Sequence, residues 1–103
     1  MPERRKHRRF PVRQPVLMRV REGTGYREVE GTTENTSLCG AFLITDATVA
    51  VGDEVELTIF LQRGLQVSSW GKVTRVTHTL QRGTNGVAVH CEHRFSELAP
   101  NAQ

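Results

Sequence analysis

No stretch of this 103-residue chain is long and apolar enough to cross a bilayer as a helix, which takes about 18 consecutive apolar residues. The start also lacks the apolar core of a signal peptide, because Pro11 and Arg13 interrupt Phe10 and Val12. A cytoplasmic protein with no membrane insertion is expected. Aromatics are scarce at 6% of residues, too few to line a groove on which single-stranded nucleic acid could stack. The two cysteines, Cys39 and Cys91, form neither a CxxC nor a zinc spacing, and no disulfide framework. Both fall among apolar neighbours and read as buried, reduced thiols. A P-loop, a Rossmann glycine pattern and a nucleophile elbow are all missing, so the sequence points away from an enzyme.

What is present is alternation. At 103 residues there is chain for one domain with a single small core, and nine glycines with four prolines suit a turn-rich all-β fold. Val16, Met18 and Val20 alternate with Leu17, Arg19 and Arg21, the period of a half-buried strand. After the turn Gly23-Thr24-Gly25, a polar strand runs from Tyr26 toward Glu34, and Ala41 to Thr45 makes a short apolar one. Gly52-Asp53 leads into the clearest strand, with Val55, Leu57, Ile59 and Leu61 on one face. Beyond the turn at Gln62-Arg63-Gly64, a long strand from Leu65 to about His78 is predicted, bulged at Gly71. Leu80 to Asn85 reads as a polar loop, and Val87, Val89 and Cys91 alternate inward on the last strand. Six strands without intervening helices predict a small closed antiparallel barrel, followed by one helical turn at most, with Ser96 as its cap and Pro100 as its stop.

The charge is uneven. Residues 1–9 hold five Lys/Arg and one Glu, a net of +4, so the remaining chain nets to −1 against the total of +3. A body of that sign is no general DNA or RNA binder. Three segments are therefore expected: a flexible basic tail at 1–9, a barrel at 10–95 and a short C-terminal tail at 96–103.

Two motifs carry chemistry. Arg4-Arg5-Lys6-His7-Arg8-Arg9 packs guanidiniums, whose planar fork meets a phosphate or the O6/N7 edge of guanine with two parallel bonds. Asn35-Thr36-Ser37-Leu38-Cys39-Gly40 places a carboxamide acceptor, a hydroxyl donor and a glycine where one strand gives way to the next. Read alone, Asn35 and Ser37 form an Asx or Ser turn equally well, and Gly40 a turn or bulge. Together, in this order, they resemble the RxxxR and (D/N)xSxxG signatures of the PilZ domain, the bacterial receptor module for cyclic di-GMP. The resemblance runs from Glu3 to about Phe95.

It implies a six-stranded barrel and a cyclic di-GMP site formed by Arg4, Arg5, Arg9, Asn35, Ser37 and Gly40. It also implies a ligand-switched adaptor that signals to a downstream protein in motility, biofilm or exopolysaccharide control, with no further cofactor. Arg4 would serve a second, stacked dinucleotide. The rival readings are a PilZ-like protein of pilus or motility machinery that binds no nucleotide, and an OB- or SH3-like barrel on single-stranded nucleic acid. Trp70 reads as a surface or core-lid aromatic and Arg75 as a solvent-facing arginine, with purine stacking as the alternative. His90 and His93, three apart on a strand, fall on opposite faces, so no metal site is expected.

Overall fold

The structure, a computed structural model, describes residues 13–78 and 83–97. Strand alternation sets it up. β1 (Pro15–Glu22) turns Val16, Met18 and Val20 inward and pairs along its length with β2 (Gly25–Ser37), through a tight turn at Gly23, φ 57°. β3 (Gly40–Thr45), β4 (Glu54–Phe60), β5 (Gln66–His78) and β6 (Asn85–Cys91) complete the wall. Every pairing is antiparallel, in the order β4-β1-β2-β3-β6-β5, and a β4–β5 ladder closes the ring. The predicted six-stranded barrel is what forms, and closure leaves its six strands without a free edge.

The interior is solid. Met18, Leu43, Leu57 and Ile59 are at most 1% exposed, and burying each contributes about 1.5–3 kcal/mol. Polar atoms drawn inside find partners. The Thr33 hydroxyl oxygen accepts from the Gln14 amide at 2.9 Å, and Thr45 donates to the Glu30 carbonyl at 2.7 Å. Among the described residues no buried side-chain polar atom lacks a partner, so the core carries no uncompensated desolvation there.

Three expectations need correcting. The bulge in β5 lies between Val73 and Arg75, not at Gly71. Gly71 answers a different demand, since an added Cβ would fall on the backbone of His90 and Cys91, where β6 approaches closely. Ser96 caps no helix. Ser96–Glu97 forms a two-residue strand, β7, which pairs with Ser68 and Val67 on β5 beyond the end of β6. The Phe95 amide donates to the Leu38 carbonyl at 3.2 Å, and its ring packs on the core, which brings the chain back alongside β5. Residues 96–97 therefore belong to the sheet rather than to a tail. The third correction is Cys39, which is half-buried; only Cys91 is fully buried, and both are free thiols.

On the outside of β1, β2 and β4 three arginines are each paired with a glutamate. Arg19 pairs with Glu56 at 3.1 Å, Arg21 with Glu54 at 2.8 Å and Arg27 with Glu22 at 2.6 Å. The bond to Glu54 holds the Arg21 guanidinium above its ordinary pKa. Arg19 also lies over the Tyr26 ring, 4.5 Å from its centroid, and Tyr26 meets Trp70 at 5.8 Å between centroids. Trp70 is thus a surface aromatic.

Candidate functional site

Directly paired residues of an antiparallel sheet project from the same face. Two transverse rows follow from the registers on the outer wall of β5, β6, β3 and β2. The first runs Arg75, Ala88, Phe42, Asn35; the second runs Lys72, His90, Gly40, Ser37. With strands about 4.8 Å apart, each row spans about 14 Å. Between the polar ends lies a groove of about 520 Å³, bordered by Asn35, Ser37, Cys39, Thr74, Arg75 and His90. Phe42 and Ala88 line it too; the Phe42 ring lies so close over Gly86 that an added Cβ would sit 2.5 Å from it.

Two bulges decide which side chains reach this face. In β2 the register shifts between Thr33 and Asn35, leaving Glu34 as the extra residue. A regular ladder would set Asn35 opposite Ala41, which faces the core at 8% exposure. The bulge sets it opposite outward Phe42, and Ser37 opposite Gly40. In β5 the extra residue is Thr74. A regular ladder would set Arg75 opposite fully buried Val87, and the bulge sets it opposite Ala88 instead. Thr74 fixes the distortion by donating its hydroxyl to the Ala88 carbonyl at 3.2 Å. One inserted residue on each side of the groove thus re-aims a polar side chain from the core to the groove face.

The structure brings Asn35, Ser37 and Gly40 together. Gly40 has a role beyond leaving room for a ligand, because an added Cβ would lie 2.8 Å from the Val89 carbonyl oxygen. Its absence lets β3 and β6 close up. Arg4, Arg5 and Arg9 lie outside the described residues. The wall also adds Arg75 and His90. His90 follows from the alternation of β6, whereas the outward aim of Arg75, for which purine stacking is the alternative reading, depends on the parity change at Thr74, which no residue type announces.

Electrostatically the groove is the reverse of the opposite wall. No described carboxylate borders it, and the nearby Glu34 is engaged by Arg13 at 3.1 Å. Among the described residues Arg75 and Lys72 have no ion pair, and the side chains of Asn35 and Ser37 have no hydrogen-bond partner. Nor do the described residues hold a cluster of three metal-ligating side chains. Unsatisfied donors, acceptors and cations around an open groove suit the recognition of an anionic ligand with polar edges.

The fold is a small closed antiparallel barrel with an open polar groove on its outer wall. Residues 3–100 match the PilZ domain, and the chain belongs to the PilZ domain family. Among solved structures it is similar to the Bacillus subtilis inhibitor of motility MotI/DgrA, with a TM-score of 0.64 and 19% identity. The match covers 96% of this chain and 45% of that one, so the likeness is one of fold and spans less than half of the larger protein. Among curated proteins, none matches the chain in sequence.

Proposed function

We propose that this protein is a receptor for cyclic di-GMP that acts as a ligand-switched adaptor rather than an enzyme. The observation that carries the reading is the carboxylate-free groove in which Asn35, Ser37 and Gly40 share one outward face with Arg75. Membership of a family of cyclic di-GMP receptor domains supports it. Asn35 accepts from the N1/N2 donor edge of a guanine, Ser37 donates to a phosphate oxygen, and Arg75 stacks on a purine or pairs with a phosphate. Arg5 and Arg9 close over the ligand as bidentate partners, and Arg4 engages a second, stacked dinucleotide. Ordering this arginine segment against the wall changes the surface that a downstream protein reads.

Calorimetric titration with cyclic di-GMP, beside GTP, GMP and single-stranded DNA, tests it. The expected result is micromolar or tighter binding of cyclic di-GMP alone, on the order of −8 kcal/mol. Equal binding of the oligonucleotide at moderate salt would move the protein to the nucleic-acid class. No heat at high protein concentration would leave an interaction module without a nucleotide.

A further inference from the structure

Cys39 and Cys91 are far apart in sequence and adjacent in space. One step beyond the last β3–β6 pair, Gly40 with His90, the Cys91 amide donates to the Cys39 carbonyl at 2.8 Å. Hydrogen-bonded antiparallel neighbours have Cα atoms about 5.5 Å apart, within the range of about 4.4–6.8 Å that disulfides span. Cys39 closes the two-residue turn between β2 and β3, near enough to Cys91 for a charge on one sulfur to be felt by the other. Their exposure differs. Cys39 is half-buried and borders the outer groove, whereas Cys91 is 1% exposed.

We propose that Cys39 and Cys91 form a dithiol oxidation site, in which a peroxide converts the two thiols into a cross-strand disulfide at the rim of the groove. The Cys39 thiolate attacks one peroxide oxygen, the O–O bond breaks, and the hydroxide released takes up a proton to leave as water. Cys39 is now a sulfenic acid. Cys91 then loses its proton and attacks the Cys39 sulfur; the S–S bond forms, the S–O bond breaks, and the second hydroxide leaves as water with that proton. Two thiols and one hydrogen peroxide give one disulfide and two waters. The order of events follows from accessibility and acidity. Burial pushes the Cys91 thiol up to about 11, with Cys39 nearby adding to the rise, so Cys91 stays protonated while Cys39 meets the oxidant.

Cys39 lies two residues after Ser37 and directly before Gly40. A bond to Cys91 draws this segment toward β6 and shifts the Ser37 hydroxyl relative to Arg75. That consequence rests on the cyclic di-GMP reading given above; the disulfide itself does not.

The test uses the full chain, reduced and then treated with a small excess of hydrogen peroxide. Both thiols should disappear together, and the intact mass should fall by two hydrogens. A peptide map without reductant should show a Cys39–Cys91 link, and dithiothreitol should reverse it. In Cys39→Ser the remaining thiol should resist peroxide in the folded state. In Cys91→Ser, checked for fold by circular dichroism, dimedone should trap the sulfenic acid on Cys39. Survival of both thiols, cross-links between chains, or Cys39 sulfinic acid beside a free Cys91 would each overturn the proposal. Titrating reduced and oxidised protein with cyclic di-GMP should give affinities that differ by about tenfold. Equal affinities would refute the coupling, and absence of binding in both forms would refute the receptor reading while the disulfide stood.

Discussion

Arg75 faces the groove with no carboxylate paired to it among the described residues, so in the proposed receptor its truncation should reduce ligand affinity without disturbing the fold. We expect Arg75→Ala to lose about 1.5–3 kcal/mol of binding, the scale of a hydrogen bond to a charged group, with an unchanged melting temperature. Arg5→Ala and Arg9→Ala should lose a similar amount in the same titration. Arg5→Lys should recover little, because a point charge cannot reproduce the two parallel bonds of a guanidinium. If Arg5→Ala and Arg9→Ala bind normally, the arginine clamp is wrong. Arg4→Ala should lower the stoichiometry more than the first binding constant.

The buried Cys91 gives a pH signature of its own. Its thiol rises from an ordinary 9.0 to about 11 in the folded protein, chiefly because burial disfavours the thiolate. A raised acid binds its proton more tightly when folded, so this stability is present below pH 9 and is lost as pH climbs toward 11. Two pKa units set an upper bound of about 3 kcal/mol, reduced by solvent screening. Urea unfolding at pH 8 and pH 11 should show that loss in the reduced wild type and not in Cys91→Ala.

At the level of strands, the glycines separate two roles. Gly71→Ala drives a Cβ into the backbone of β6, where nothing flexible can give way, whereas Gly25→Ala meets no atom within 4 Å. The first should destabilise by at least 1–3 kcal/mol, roughly the scale of overpacking a core, and the second by less than about 0.5 kcal/mol. Denaturant midpoints of the two variants decide it. An equal effect would mean that β6 shifts freely.

The strands themselves were legible because period-two alternation reports burial directly: Val55, Leu57 and Ile59 on β4 and Val87, Val89 and Cys91 on β6 all face the core as read. The extra residues Glu34 and Thr74 were not, since a bulge is set by the partner strand's register. An interior glycine signals either a bulge or a close approach, and at Gly71 it meant the second. Ser96 misled for a similar reason. A capping residue and a following acid are local signals, and the docking of Phe95 on the core outweighs them. Asn35, Ser37 and Gly40 were visible as a motif, while Arg75 reads first as a solvent-facing arginine and the fold puts it on the groove face.

For the molecule as a whole, barrel closure governs folding. β1 must find β4 and β3 must find β6 before the ring is complete, and these two ladders join strands that are not consecutive in the chain. Such topologies fold in about milliseconds to seconds. Stopped-flow refolding from urea should give one exponential in that range. Microsecond relaxation carrying the full amplitude would contradict a closed non-local barrel.

The unequal distribution of charge also affects how a ligand arrives. Arg19, Arg21 and Arg27 each have a glutamate within 3.1 Å, so their fields cancel within a short distance. Arg75 is without such a partner among the described residues, and its field extends into solvent for about a Debye length, about 8 Å at physiological ionic strength. If the ligand is the doubly charged dinucleotide proposed above, it should be turned toward the groove before any contact forms, and away from the opposite wall. Capture should therefore be faster than random collision allows. Added salt should slow association more than it speeds release, and the same barrel should receive its signal quickly in dilute buffer and sluggishly in concentrated salt.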